Sequence, residues 1–178
     1  MRDELAIVIL TYNNESHIAA TLRSCMGFAP VYVIDSGSSD STPSICTNLG
    51  ANFSINTMSV WDAGAQRNHI FGVVNKRYRW ILFLDSDEIL EEGLKEELVE
   101  FVTRDGGNYD AAAIRSLYHL RGNPLIAVSR DTYHDRLVSN TLKMPVFTRS
   151  PGEVLVSRSD LRIKKFDAAY RHDVDAKG

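Results

Sequence analysis

With 178 residues, 44% of them hydrophobic and 24% charged, the chain has the make-up of a soluble globular protein, and residues 1–178 suit one domain with its own core. The formal charge of −3 argues against general nucleic-acid binding. No stretch approaches the roughly 20 apolar residues of a membrane span, and no cationic start leads into a long apolar run as in a signal peptide, so a cytoplasmic protein is expected.

The charge is uneven along the chain. Residues 1–104 carry 8 Lys/Arg against 14 Asp/Glu, net −6, and residues 105–178 carry 12 against 9, net +3. A basic second half suits a solvated face, an anionic acceptor or a membrane surface. Cys25 and Cys46 fall in predicted helices without metal-type spacing and read as buried free thiols in a reducing compartment.

Leu5–Leu10 is a continuous apolar run and reads as a buried strand ending at Thr11-Tyr12-Asn13-Asn14. A helix follows from about Glu15 to Met26, with Ile18, Leu22, Cys25 and Met26 on one face. Val31–Ile34 is the next strand and ends on Asp35. The small polar loop from Ser36 to Pro43 leads into a second helix, capped by Ser41 or Thr42 and stopped at Gly50. A shorter strand is expected over Ala51–Ile55 and a third helix over Ala63–Val74. Trp80–Leu84 is five apolar residues in a row, a buried parallel strand, and Glu91–Arg104 is a fourth helix. This alternation predicts an α/β protein with a mostly parallel, Rossmann-like sheet and helices on both faces.

After Arg104 the pattern changes. Asp105-Gly106-Gly107-Asn108 is a turn, Ala111–Tyr118 a strand, and Gly122-Asn123-Pro124 another turn. Short strands are expected at Leu125–Val128, Met144–Thr148, Val154–Val156 and Leu161–Ile163, giving a mixed or antiparallel C-terminal extension. Asp173–Gly178 has little apolar content and reads as a polar tail.

The chemistry gathers where strands end. In an extended segment Asp85 and Asp87 point to one side, roughly 6–7 Å apart, and would repel by about 2–3 kcal/mol. A divalent cation such as Mg²⁺ or Mn²⁺ removes that cost, and ligands of open α/β sheets collect beyond the carboxyl ends of the strands. The plainer alternative is that Asp87 and Glu88 only favour the positive end of the next helix. Three further segments share the predicted edge. Thr11, Tyr12 and Asn13 offer a hydroxyl, an aromatic face and an amide, and Asp35 can accept from the N–H of a base or from a ribose hydroxyl. Ser36, Gly37 and their neighbours up to Asp40 offer backbone N–H groups. Arg67 can pair with phosphate. Together they describe a nucleoside diphosphate held with a metal.

The segments Ile7–Asn13, Val33–Asp40, Ala65-Gln66-Arg67-Asn68 and Ile81–Glu88 resemble, in order and spacing, the family 2 glycosyltransferases of the GT-A fold, over about residues 5–100. The resemblance implies transfer of a sugar from a nucleotide-sugar donor to an acceptor hydroxyl, usually with inversion. It implies that Tyr12 and Asp35 hold the base, with Arg67 near base or phosphate. Asp85 and the adjoining Ser86 would meet ribose or sugar, and Asp87 would ligate Mn²⁺ or Mg²⁺. Asn14 stands where many relatives have an acid, which leaves the role of Glu15 open. A Leu-Asp-x-Asp-Glu ending, common among enzymes of lipopolysaccharide and other cell-surface glycans, hints at a glycan or lipid-linked acceptor at the inner face of the membrane. Residues 1–104 would form the nucleotide-sugar half and residues 105–178 the acceptor side. The chain is short for that family, as a truncated form, a fragment or a compact version needing a partner would be.

An acceptor's proton must go to a carboxylate, and in that family the base follows the Asp-x-Asp. Asp131, Asp135, Asp167 and Asp173 are the candidates, with Asp173 favoured because His172 adjoins it. His172 is alternatively a further metal ligand, and an exposed polar tail also accounts for both residues. Tyr133-His134-Asp135-Arg136 is a second cluster of the same kind. Two other readings stand beside this one. A nucleotidyltransferase would carry a Gly-rich, basic loop after the first strand, which Thr11–Glu15 lacks; a domain that binds nucleotide-sugar without catalysis would lack the base.

Overall fold

The apolar runs become strands because each has neighbours on both edges and a packed layer on both faces. The computed structural model describes residues 4–129, 132–149 and 154–174. Strands β1 (Leu5–Thr11), β2 (Val31–Asp35), β3 (Asn52–Ile55) and β4 (Trp80–Asp85) alternate with helices α1 (Ile18–Cys25), α2 (Thr42–Asn48) and α3 (Ala63–Val74). β1 is buried throughout and pairs in parallel with β2 on one edge and β4 on the other, and β3 joins β2.

The rest of the chain extends this sheet. It supplies β5 (Glu88–Ile89), α4 (Glu92–Glu100), β6 (Ala111–Leu120), β7 (Asn123–Pro124), the short α5 (Ile126–Ser129), β8 (Tyr133–Ser139) and β9 (Ile163–Asp173). The sheet runs β3-β2-β1-β4-β8-β6-β9-β5, with β7 folded onto β6. β8 is antiparallel to β4, β6 is antiparallel to β8, β9 is parallel to β6, and β5 is antiparallel to β9. A parallel half and a mixed C-terminal half are the expected α/β architecture.

Alternation along β1 and β4 divides the core into two layers. Ile7, Ile9, Leu82 and Leu84 face Ile18 and Leu22 of α1 and Leu94 and Leu98 of α4. Ala6, Val8, Ile81 and Phe83 face Ile70, Phe71 and Val74 of α3, together with Phe147 and Leu155. Edge-to-face ring pairs lock each layer: Trp80 with Phe101 at 4.9 Å and Phe83 with Phe147 at 5.1 Å between centroids. The cysteines are buried as expected, with burial pushing both thiols up to about 11.

Three expectations for the second half need correction. Leu125–Val128 is not a strand: Arg121 and Gly122 turn with positive φ, β7 lasts two residues, and the chain then coils into α5. The Ser129 hydroxyl accepts from the Tyr118 amide (2.9 Å) and donates to the Leu125 carbonyl (2.8 Å), which closes that turn. Met144–Thr148 and Val154–Val156 meet only at the bridge Phe147–Leu155. The Val146 amide, which a longer ladder would give to Val156, donates to Asn68 Oδ1 instead, and Asn68 also takes the Phe147 amide and donates to the Phe147 carbonyl. Strand formation near Leu161 starts only at Ile163 but continues for eleven residues, so His172 and Asp173 belong to β9 and not to a tail. Pro151-Gly152 and residues 175–178 lie outside the described residues. The expected helix to Arg104 is α4 followed by a π-turn over Phe101–Asp105.

Candidate active site

Register brings three strand ends to one edge: Thr11 lies beside Asp35, and Leu10 beside Asp85. The loops leaving them are stitched together by short polar side chains. The Asn13 amide donates to Ser38 Oγ (2.8 Å), the Ser39 amide to Asn13 Oδ1 (2.8 Å), and the Asn14 amide to Thr42 Oγ1 (2.9 Å). The Glu15 amide donates to Asp40, and the Glu15 carboxylate accepts from the Ser41 amide at 2.8 Å. That bond ties two loops at the start of α2. Asp35 is fully buried and accepts from the Gly37 and Ser38 amides and the Ser38 hydroxyl. It therefore shapes its own loop, with Gly37 at φ +94°, and is not among the walls of the cleft described below. Ser36 is held by Gln66, whose amide donates to Ser36 Oγ at 2.8 Å.

The acids at the end of β4 sit in a cluster of charges. Arg67 from α3 donates to Asp85 Oδ1 at 3.0 Å, and Arg136 from β8 donates to Asp85 Oδ2 at 2.8 Å. Arg136 also donates to Glu88 at 2.6 Å, and Glu88 accepts the Asp85 amide at 2.8 Å. Burial opposes ionisation of Asp85, but the two guanidiniums outweigh it and hold the carboxyl well below the usual range. Burial pushes Glu88 up to about 7, with Arg136 pulling against it and the Asp85 charge adding to the rise. Ser86 is fixed by Asn14, whose side-chain amide donates to its hydroxyl at 2.6 Å, and its carbonyl accepts from Thr21.

Asp87 and His172 face each other across the β5–β9 pair, where Glu88 and His172 are in register. Asp87 Oδ2 and His172 Nε2 are 3.7 Å apart, and His172 stacks on Tyr118 with ring centroids at 5.0 Å. Burial lowers the His172 pKa, but the carboxylates of Asp87, Glu88 and Asp85 together raise it above its ordinary value. An oxygen and a nitrogen donor at that separation fit one divalent cation of the Mg²⁺ or Mn²⁺ type, with phosphate oxygens and water completing its shell. Asp85, expected as the second ligand, accepts from a guanidinium on each oxygen, and His172, read from the sequence as an alternative ligand, is the donor that stands beside Asp87. Among the described residues no group of three such ligands occurs.

Two clefts meet at this cluster. One, of about 660 Å³, is lined by Thr11, Tyr12, Asn13, Glu15, Trp61, Asp85, Ser86, Asp87 and His172. The other, of about 490 Å³, is lined by Arg67, Asp85, Tyr118, Tyr133, His134, Asp135, Arg136, Arg158 and His172. Asp85 and His172 are walls of both. In the first, Tyr12 is 57% exposed, while the Thr11 hydroxyl is buried with no partner among the described residues.

The sequence candidates for the base separate here. The Asp173 carboxylate is 3.3 Å from Arg171 and lines neither cleft, because neighbouring residues of a strand face opposite sides and His172 takes the inner one. Asp135 lines the second cleft and is held by Arg158 at 2.7 and 3.1 Å. Asp167 lines neither, and Asp131 lies outside the described residues. The expected pairing of His172 with Asp173 is thus replaced by His172 with Asp87. Arg136, Glu88 and Trp61 were given no role from the sequence. Arg136 had a signal, its place in the Tyr133–Arg136 cluster; Glu88 was hidden by its reading as a helix-start acid.

The family model described as Glycosyl transferase family 2 matches residues 6–162. The Minor teichoic acid biosynthesis protein GgaA of Bacillus subtilis (strain 168) is 33% identical over 108 residues, which is 54% of this chain and 24% of that protein. The structure of residues 1-349 of S. aureus TarS in complex with UDP-GlcNAc superposes with a TM-score of 0.70 at 18% identity, covering 96% of this chain and 58% of that one. Glucosyl-3-phosphoglycerate synthase from Mycobacterium tuberculosis, in complex with Mn²⁺ and UDP-glucose, gives 0.62 at 17% identity, covering 96% and 70%. The two superpositions establish the fold. The chain spans about a quarter of GgaA and less than two thirds of this TarS chain.

Proposed function

The chain belongs to glycosyl transferase family 2, and on that premise we propose that it moves a sugar from a nucleoside-diphosphate sugar, with UDP as the nucleotide, to an acceptor hydroxyl. The observation that carries this reading is the junction of two clefts at Asp85 and His172. A donor in the first cleft and an acceptor in the second would meet at one charged centre.

In the donor cleft Tyr12 packs against the base, and the Thr11 hydroxyl and Asn13 meet the nucleoside. Asp85, fixed on both oxygens, keeps lone pairs for a hydroxyl of ribose or sugar. Asp87 and His172 are the residues that would hold Mn²⁺ or Mg²⁺. Bound there, such an ion supplies positive charge opposite the departing diphosphate. Arg67 and Arg136 keep Asp85 ionised and oriented. Asp135, in the acceptor cleft, takes the proton of the attacking hydroxyl, and attack from that side on a sugar held in the donor cleft inverts its configuration. The likeness to GgaA, a minor teichoic acid biosynthesis protein, supports a role in making a cell-surface glycan; a glycan or lipid-linked acceptor at the inner face of the membrane completes the proposal. Among the described residues no helix is long and apolar enough to cross a membrane.

Calorimetric titration with UDP tests the donor half. We expect binding that strengthens with Mn²⁺ and loses that dependence in Asp87→Ala and His172→Ala. Metal-dependent binding that survives both substitutions would sink the assigned ligands. Release of UDP from UDP-sugars tests the transfer half.

A further inference from the structure

We infer that Trp61 is a second aromatic wall of the donor cleft and stacks on the nucleobase together with Tyr12; this rests on the donor reading above. Tyr12 and Trp61 reach the same cleft from separate connections, the first after β1 and the second between β3 and α3. Trp61 is 50% exposed, and the neighbouring Val60 is 75% exposed. A large ring left half in water forfeits burial that the fold would otherwise use, and an aromatic edge on a cleft is the usual anchor for a planar ligand.

Local structure explains why Trp61 is not drawn into the core. Asp62 caps α3, its Oδ1 accepting the Ala65 amide at 2.9 Å, and Arg149 holds the other oxygen at 2.6 Å. Trp61 precedes that cap, the position from which an apolar side chain commonly packs onto the fourth residue of the helix. Here the fourth residue is Gln66, which is occupied with Asn56 and Ser36. The ring has no apolar partner there and turns to the cleft instead. The connection is anchored at both ends, at Asn56 by Gln66 and at Asp62 by the cap, so Trp61 is delivered to a fixed place. Stacking between two rings is indifferent to the sugar and selective for a planar base.

The chain has two tryptophans, and Trp80 is fully buried and lines neither cleft, so it contributes a constant background against which a ligand-dependent change in emission reports on Trp61. With Mg²⁺ present, UDP should shift or quench the emission and pyrophosphate should not. Trp61→Phe should abolish that signal while calorimetric UDP affinity stays within about threefold. Trp61→Ala should weaken UDP by roughly tenfold or more and leave pyrophosphate binding unchanged. UDP affinity in Trp61→Ala equal to the parent, with the parent binding UDP, overturns this inference alone. An equal loss for UDP and pyrophosphate overturns it as well, since that marks a general disturbance of the cleft. A parent that binds no nucleotide overturns both the inference and the donor reading.

Discussion

Glu88 accepts the backbone amide of Asp85 and, with its other oxygen, the same Arg136 nitrogen that holds the Asp85 side chain. Main chain and side chain of Asp85 are thus closed into one ring through a carboxylate that has no exposed surface. A ring of this kind fixes where the Asp85 oxygens point before any ligand arrives, which is what an orienting group for a hydroxyl requires.

The ring makes a prediction about stability. Arg136→Met leaves Glu88 and Asp85 without their shared cation, and breaking a buried pair costs about 3–5 kcal/mol. Glu88→Gln removes a charge but keeps an acceptor for the Asp85 amide, so its cost should be smaller. The double variant should recover part of the loss. Urea denaturation of the parent and the three variants measures the order; a double variant no better than Arg136→Met would mean that the pair is not a unit.

His134 supplies a pH prediction. Burial, reinforced by the nearby Arg136 charge, lowers its pKa from 6.5 to about 4. The folded protein then binds fewer protons than the unfolded chain between those values. The His134 contribution is present above about pH 6.5 and is lost as pH falls towards 4. This contribution runs against that of Glu88, raised to about 7, which has the opposite slope over much of the same window. The His134 part is therefore read as the difference between the parent and His134→Gln, with the parent losing more unfolding free energy than the variant as pH falls from 6.5 towards 4. A variant with the parent's full slope would assign the titration elsewhere.

The parallel half was legible because its signals are local. Continuous apolar runs such as Leu5–Leu10 and Trp80–Leu84 admit few readings when turn residues bound them, and polar residues at their ends, the acids Asp35 and Asp85 among them, mark the working edge. β8 and β9 were not legible. Tyr133–Ser139 and Ile163–Asp173 carry polar residues on the face that lines the clefts, so neither shows a clean period of two, and their partners are distant in sequence. The same cause hid which candidates for the base share a cleft. Asp173 adjoins His172 in sequence, but strand geometry separates neighbours and joins His172 to Asp87, 85 positions away. Asp35 shows another limit: its carboxylate also accepts from the Gly37 and Ser38 amides of its own loop, and a sequence cannot tell a ligand's hydrogen bonds from a loop's own.

Gly64 offers a test of packing against propensity. Alanine in place of glycine near a helix start would ordinarily gain up to about 1 kcal/mol. Here a Cβ would stand 1.9 Å from the Thr148 carbonyl oxygen, which is backbone and cannot rotate away. Overpacking costs about 1–3 kcal/mol, so the net change in Gly64→Ala should be destabilising. A gain in Tm would show that the segment around Thr148 is not seated on α3 in solution.

The thiols should be silent in the native protein. Cys25 and Cys46 are both fully buried, and burial raises each to about 11, so little thiolate is present at neutral pH. Ellman's reagent should titrate none of the two in buffer and both in urea. Rapid reaction of either in buffer would place it at a surface.

Asp135 and Asp173 compete for one role, and kinetics distinguish them. A general base contributes about 10²–10⁴-fold, so Asp135→Asn should lower kcat by that factor with KM for the donor nearly unchanged. Asp173→Asn should alter little, because its carboxylate meets Arg171 outside both clefts. Asp135 also orients Arg158, and Asp135→Asn removes that ion pair together with the base. Arg158→Gln separates the two effects: it breaks the ion pair but leaves the carboxylate, so it should retain most of kcat. A loss in Arg158→Gln as large as in Asp135→Asn would make the pair structural and return the search to carboxylates beyond the second cleft.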